Sequence, residues 1–341
     1  MDLQILTRPA AEWQAWLEAG FRRLGLHAEG AAQVAEALVE AELWGRPTHG
    51  FARTGGIAKA LGKGLTGTPK TLREGHGHAI LDGTGCLGYV VCARAVQLAS
   101  AKAQASGLAA VGARHSSHNG MLGHFAVQLA RRGFVALAAT HCVPFVSAFG
   151  AREKVLGTNP LALAFPAPES GGDPLSIDLS TAALSWGELD RRRREGQPLP
   201  EHVALDEEGR PTAEPAAAAH GTLRPFGAPF DEGKGSALGL AVELLSSLLV
   251  GEDPLPDSPR RYGHFFLALQ PELLGEAEAY AQGWRKLIER IAGLKLRPNT
   301  PPARLPGARA WAHRREALRT GLSVSAEVWR EMREALRVED E

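Results

Sequence analysis

Apolar residues recur at helical spacing near the start of the chain. Trp13, Trp16, Leu17, Phe21 and Leu24 fall on one face, and Ala31, Val34, Ala35 and Leu38 repeat the pattern. Gly45 and Pro47 end the second of these helices. Thr48-His49-Gly50 is therefore expected in a turn or at the start of a third helix, with Thr48 available as its N-cap. From about His78 the pattern changes to short apolar runs. HAIL (78–81), LAAVGA (108–113), FVALAAT (134–140) and LALAFPA (161–167) read as strands, and segments near 88–106 and 120–132 read as helices between them. Residues 196–232, rich in Pro, Gly and acidic groups, read as a long surface excursion. A helix (236–250), a strand GHFFLAL (263–269) and helices near 273–292, 308–319 and 325–337 follow. The pattern predicts an α/β chain. A helical domain built from both ends (1–75 with 273–341) would surround a sheet-containing segment (76–272).

Composition narrows the partners. The 341 residues are enough for one large domain or two interlocked ones, with 44% hydrophobic and 22% charged residues as in ordinary globular chains. Lys+Arg and Asp+Glu are both 38, so no global field favours nucleic acid or an anionic membrane. A charged ligand must be held locally. The first residues, MDLQILTRPAAEW, lack a basic segment followed by an apolar one. The stretch 238–250 is interrupted by Glu243 and two serines and reads as too short to span a bilayer. Cys86, Cys92 and Cys142 share no metal spacing and are expected as buried, reduced thiols. Together these features point to a cytoplasmic protein.

Several short constellations carry possible chemistry. Gly83-Thr84-Gly85-Cys86-Leu87-Gly88 spells G-x-G-x-x-G, but no Asp or Glu occurs from Gly83 through Arg152 to hold a ribose, so a plain glycine-rich turn is preferred. His49, flanked by glycine, has the ordinary pKa for proton exchange with a hydroxyl, and Arg53 four residues on can grip a carboxylate with two parallel hydrogen bonds. Both are also compatible with a solvated loop. His115, His118 and His124 lack metal-ligand spacing and a nearby carboxylate, and fit a polar loop lining a cleft better than a metal site. Leu156-Gly157-Thr158-Asn159-Pro160 reads as a turn offering compact donors and acceptors. Asp178 breaks an apolar run and needs a partner, an imidazolium being one candidate. Ser180 and Thr181 would then cap the next helix. Gly233-Lys234-Gly235-Ser236 precedes an apolar helix and suits a phosphate, without Walker spacing. The run 190–195 (DRRRRE) reads as a solvated helix face.

Taken in order, these pieces resemble the malate/L-lactate dehydrogenase family, which includes sulfolactate, ureidoglycolate and 2,3-diketogulonate dehydrogenases and piperideine-2-carboxylate reductases. The likeness runs from about Glu42 to Glu331. Residues 47–53 match a D-S-H-G-x-x-R-like box, 156–160 match L-G-T-N-P unchanged, and 178–182 match an aspartate-led D-x-(S/A)-x-(S/A) segment. Gly196-Gln197-Pro198-Leu199-Pro200, Lys234-Gly235-Ser236, Gly263-His264-Phe265-Phe266 and Arg304-Leu305-Pro306-Gly307 are similar too. The resemblance implies a non-Rossmann fold in which a mainly antiparallel central sheet binds NAD or NADP, and a homodimer interface that completes the active site. It gives His49 the acid/base role, with Asp178 orienting it. Thr48, Arg53, His118 and Thr158 would lie near the substrate. Asp178, Leu179, Ser180, Thr181, Ala182, Ala183, Leu184, Lys234, Gly307 and Arg309 would contact the cofactor. Three departures stand out: Thr48 replaces the usual Ser, the approach to Lys234 is lengthened, and Ala308 stands where Glu is common. The implied activity is hydride transfer between NAD(P) and a small 2-hydroxy or 2-keto carboxylic acid. Reduction of 2-imino acids and a silent ligand-binding homologue are the alternatives.

Overall fold

The computed structural model describes residues 6–169 and 171–338. The extreme ends of the expected helical domain, 1–5 and 339–341, lie outside the described residues. At the centre is a seven-stranded sheet. Its spatial order is Lys70–Glu74, His78–Asp82, Leu108–Ser116, Tyr262–Leu269, Val135–Thr140, Leu161–Phe165 and Leu175–Leu179. Five of its six neighbouring pairs are antiparallel. The exception is His78–Asp82 with Leu108–Ser116, a parallel pair joined by the crossover helix Gly88–Ser106, which is the connection a parallel pair needs. The strand Tyr262–Leu269 arrives late in the chain and slots between two earlier strands, with Phe266 opposite both Val111 and Ala138. Many buried sheet positions are alanine (109, 113, 136, 138, 162, 164 and 268), leaving room for the helices Gly88–Ser106 and Leu122–Ala130 to lie against the sheet.

One apolar core runs from the N-terminal helices into the sheet, joining Trp13, Leu17, Phe21 and Leu38 to Phe125 and Phe266. The helices Ala10–Arg23 and Ala28–Leu43 pack with Ala308–Thr320 and Ala326–Leu336 from the other end of the chain. A two-stranded ladder, Leu6–Arg8 with Leu322–Val324, ties the ends together, and the Trp13 indole donates to the Leu322 carbonyl at 3.0 Å. The hairpin of Lys70–Glu74 and His78–Asp82 straddles the boundary expected at 75. The helix Ala277–Ala292 buries none of its residues and touches residues 166–169 through Tyr280 and Arg285.

Two expectations need correction. Residues 196–232 are more than a surface excursion. Ala204–Leu205 and Thr222–Leu223 join Val146–Ser147 and Lys154–Leu156 in a four-stranded sheet with its own small core of Val146, Leu156, Leu189, Leu199, Ala204 and Leu223. Strands of two or three residues are too short for alternation to reveal them. The apolar helix also starts earlier, at Glu232, and ends at Ser246, with a 3-10 turn at Leu248–Val250. Over 232–250 its 19 residues are, by length and composition, enough to cross a membrane, unlike the shorter stretch read from the sequence. In this fold its Gly239, Val242, Glu243 and Ser246 are buried against the sheet layer. The three cysteines are free and buried.

The glycine-rich turn has a specific packing reason. A Cβ at Gly88 would stand 2.0 Å from the Ser117 carbonyl oxygen and 2.7 Å from that of His118. The helix N-terminus is thus pressed onto the backbone that carries His118, and the Gly88 N–H donates to Ser117 Oγ at 2.9 Å. Backbone cannot yield as a flexible side chain does. Gly88→Ala is expected to lower the unfolding free energy by about 1–3 kcal/mol, as overpacking does, measured by urea denaturation. An unchanged midpoint would contradict this packing.

Candidate active site

The segment 46–53 is held in two consecutive 3-10 turns, Pro47–His49 and Phe51–Arg53. Thr48 does not cap a helix, because its hydroxyl shares a hydrogen bond with His49 Nδ1 at 3.1 Å and the α-helix begins only at Thr54. Gly50 is required here. The Glu42 carboxylate passes where its Cβ would be, at 2.2 Å, to accept the Phe51 N–H at 2.7 Å. The turn is thereby pinned to the helix Ala28–Leu43, and His49 is fixed against the core instead of swinging in solvent. Arg53 folds back so that its Nε donates to the Thr48 carbonyl at 2.7 Å.

These residues open into a cavity of about 680 Å³. Thr48, His49, Arg53, His118, Thr158, Asp178, Leu179, Ser180, Ala182, Ala183 and Leu184, expected from four separate stretches of sequence, all line it. The His49 and His118 rings lie 6.2 Å apart and nearly parallel, at 22°. Burial, with the Arg53 and Arg46 guanidiniums adding to it, pushes the His49 pKa down to about 4. Burial, then Arg53, His49 and His264, push His118 well below its ordinary value. Both imidazoles are therefore neutral near pH 7. His118 Nδ1 accepts the Gly120 N–H at 3.2 Å, which places its proton on Nε2.

The other expected residues are placed differently. Asp178 accepts its hydrogen bond from Gly123 N–H, at 3.1 Å, and not from His49. A helix N-terminus, that of Leu122–Ala130, supplies the partner an inward carboxylate needs. Burial raises the Asp178 pKa, partly offset by that N–H and by Arg46. Thr181 is buried behind the wall, its N–H donating to the Thr158 carbonyl at 3.1 Å and its hydroxyl to that of Asn159 at 3.2 Å. Ser180 and Thr181 cap no helix. Ser185 caps the next one, Trp186–Glu195, by accepting the Glu188 N–H. Lys234 lies in the first turn of its helix, largely exposed and paired with Asp231, away from the cavity. Gly307 packs against the backbone of Ser176 as the N-cap of Ala308–Thr320, and neither it nor Arg309 lines the cavity. The three clustered histidines diverge: His115 pairs with Asp82, His118 faces the cavity, and His124 meets Gln128. Arg191–Arg194 pair with Glu188, Asp190 and Glu195 along their own helix.

Sequence reading assigned no role to Arg46, Cys142, Phe145, Trp186 or Tyr262, which also line the cavity. Trp186 stacks on Phe145 with centroids 4.2 Å apart. One signal was present: Ser185-Trp186-Gly187-Glu188 has capping-box spacing and marks a helix start at the cavity rim. The feature with most chemical weight is electrostatic. Among the described residues no ion pair joins a carboxylate to Arg46 or Arg53, although all four arginines of the adjacent helix Trp186–Glu195 are paired. The Arg53 guanidinium, with no carboxylate partner and beside two neutral imidazoles, makes the cavity a receptor for an anion, while Arg46 is partly offset by the Asp178 carboxyl.

In the ligand-free protein, the His49 imidazole should titrate with a midpoint near 4, and a bound small carboxylate should raise it by offsetting the two arginines. NMR titration of the ring, assigned with His49→Ala, measures this. A midpoint near the ordinary value of 6.5 would contradict the burial and charge environment described.

Comparison with known proteins gives a consistent picture. Residues 9–333 match the family described as malate/L-lactate dehydrogenase. The chain is 31% identical over 346 residues to the delta(1)-pyrroline-2-carboxylate/delta(1)-piperideine-2-carboxylate reductase of Pseudomonas putida, covering 97% of each chain. It is 34% identical over 298 residues to the (2R)-3-sulfolactate dehydrogenase (NADP(+)) of Chromohalobacter salexigens, covering 84% of this chain and 85% of that protein. The solved structure of malate dehydrogenase from Pyrococcus horikoshii superimposes with a TM-score of 0.87 at 26% identity, covering 100% of this chain and 99% of that one.

Proposed function

The chain belongs to the malate/L-lactate dehydrogenase family, and from that premise we propose that it is an NAD- or NADP-dependent dehydrogenase of a small 2-hydroxy carboxylic acid. The observation that carries the proposal is the meeting, in one cavity, of a neutral His49 and an Arg53 with no acidic partner. Nε of Arg53 is occupied by the Thr48 carbonyl, so both Nη groups are left to hold a carboxylate side by side. Fixing the carboxylate fixes the 2-carbon beside it, and positioning of this kind supplies much of an enzyme's rate. A neutral imidazole accepts the proton of the 2-hydroxyl during oxidation and returns it to the 2-oxo group in reduction. The proton on His118 Nε2 offers a further donor toward the same oxygen or the carboxylate.

The residues present suit a nicotinamide nucleotide. The wall formed by Leu179, Ala182, Ala183 and Leu184 is apolar enough for a flat ring, and the exposed Arg46, which also lines the cavity, suits a phosphate or a second carboxylate. NAD(P), when bound, takes up the hydride from the substrate's 2-carbon. Lys234, Gly307 and Arg309 contribute only where the nucleotide extends beyond the cavity. We further propose a homodimer. Leu240 and Leu244, on the helix whose other face backs the site, and Leu248, in the 3-10 turn that follows it, are apolar and all about half exposed. Sedimentation velocity should show a dimer that Leu244→Glu dissociates, and a monomeric wild type would contradict it.

The activity is tested at 340 nm with both nucleotides against 2-keto acids, alone and with added amines to form imines. Turnover with free keto acids supports the hydroxy-acid reading, and turnover only with amines favours imine reduction. No turnover and no nucleotide binding would overturn both. On the active pair, His49→Ala should lower kcat by about 10²–10⁴-fold with nucleotide binding kept. Arg53→Met should raise KM for the acid by about 10- to 100-fold, the loss expected for a charge-assisted pair.

A further inference from the structure

Behind the cavity wall lies a buried carboxyl that the reaction as described does not use. Glu243, on the helix Glu232–Ser246, is 4% exposed. Its Oε2 accepts a hydrogen bond from Asn159 Nδ2 at 2.8 Å, and Oε1 is buried with no partner. The same Nδ2 donates to the Gly239 carbonyl at 3.0 Å, one turn earlier on that helix. Asn159 is fully buried and holds a left-handed backbone conformation with φ of +35°, which asparagine tolerates better than other non-glycine residues but which still needs its surroundings to hold it. The two bonds from its side chain are the restraint. Asn159 follows Thr158, whose side chain faces the cavity, and the Thr158 carbonyl in turn accepts from Thr181 N–H and Ser180 Oγ. Hydrogen bonds on either side of the Thr158–Asn159 peptide thus link Glu243 to the wall segment 178–184.

We propose that Glu243 is a positioning residue of the active site, holding Asn159 so that Thr158 and the segment Asp178–Leu184 keep the shape that receives nucleotide and acid. The proposal rests on the dehydrogenase reading for its kinetic consequence, but not for its structural one. Burial raises the Glu243 pKa to about 7, against the Asn159 hydrogen bond that lowers it. Among the described residues no cation pairs with it, and the Cys142 thiol, itself buried and raised in pKa, is the nearby titratable group. The carboxylate is the stronger acceptor for the Asn159 amide. Above neutral pH the turn is therefore held more tightly, and below it the bond weakens as Glu243 takes up a proton.

Three measurements on the full chain test this. Hydrogen exchange of residues 157–160 and 180–184 should accelerate strongly in Glu243→Leu and only to the level wild type shows at acid pH in Glu243→Gln, which keeps a neutral acceptor. This readout needs no substrate, so failure of the dehydrogenase reading leaves it intact. In turnover, Glu243→Leu should lower kcat/KM by about tenfold to hundredfold, and Glu243→Gln should fall only to the level wild type shows below its inflection. The pH profile of kcat/KM should show an inflection near 7 in wild type, falling toward acid, that is missing in Glu243→Gln. Unchanged exchange in Glu243→Leu would overturn the proposal. So would an inflection that persists in Glu243→Gln, which would reduce Glu243 to a packing residue. Should Glu243→Leu fail to fold, the pH profile of Glu243→Gln decides alone.

Discussion

The charge on Arg53 sets the character of the cavity. A guanidinium remains ionised at any ordinary pH, so one that lines a cavity without a carboxylate beside it must be compensated by something that enters. Its Nε is already committed to the Thr48 carbonyl, which fixes the direction in which the remaining donors point. Burial, with this charge and Arg46 adding to it, keeps His49 neutral and hence a proton acceptor. Anion recognition and proton acceptance are thus coupled. An arriving carboxylate offsets the positive field and makes the imidazole a better base where the base is needed.

The fold serves this arrangement by drawing distant segments to one place. The 3-10 turns at 47–53 are pinned by Glu42 from the N-terminal helix layer. The loop at 117–120 is seated by the close approach at Gly88. The Thr158 turn and the Asp178 strand end come from the far side of the sheet, and the rim at 182–188 belongs to the small four-stranded layer. The mainly antiparallel sheet lets strands from 108, 135, 161, 175 and 262 lie side by side, the last as a late insertion. A doubly wound parallel sheet would need a crossover helix for each. Asp178 illustrates the economy of the wall: its carboxylate anchors a helix N-terminus while its side chain borders the cavity.

Much of this was legible in the sequence, and the limits have physical causes. Runs such as 108–113 and 134–140 declared themselves because the strands they form are buried and several residues long. The strand Lys70–Glu74 did not, since every residue in it is exposed and no alternation marks it. The turn around His49 and the L-G-T-N-P turn were visible as motifs, and both border the cavity. Arg46, Tyr262 and Trp186 were not assigned roles, because only tertiary contacts bring them to the site. Local pattern also misled. Thr48 and Ser180 have the side chains of good caps, yet each hydroxyl finds a nearer partner: a neighbouring imidazole for Thr48, the carbonyl of Thr158 for Ser180.

The most direct test is a crystal structure of the protein with nicotinamide nucleotide and an unreactive 2-keto acid analogue. The account predicts the carboxylate on the Nη groups of Arg53, the 2-oxygen within hydrogen-bonding distance of His49, and the nicotinamide against the wall at 179–184. An acid bound away from Arg53, or a His49 ring with no contact to the ligand, would contradict it.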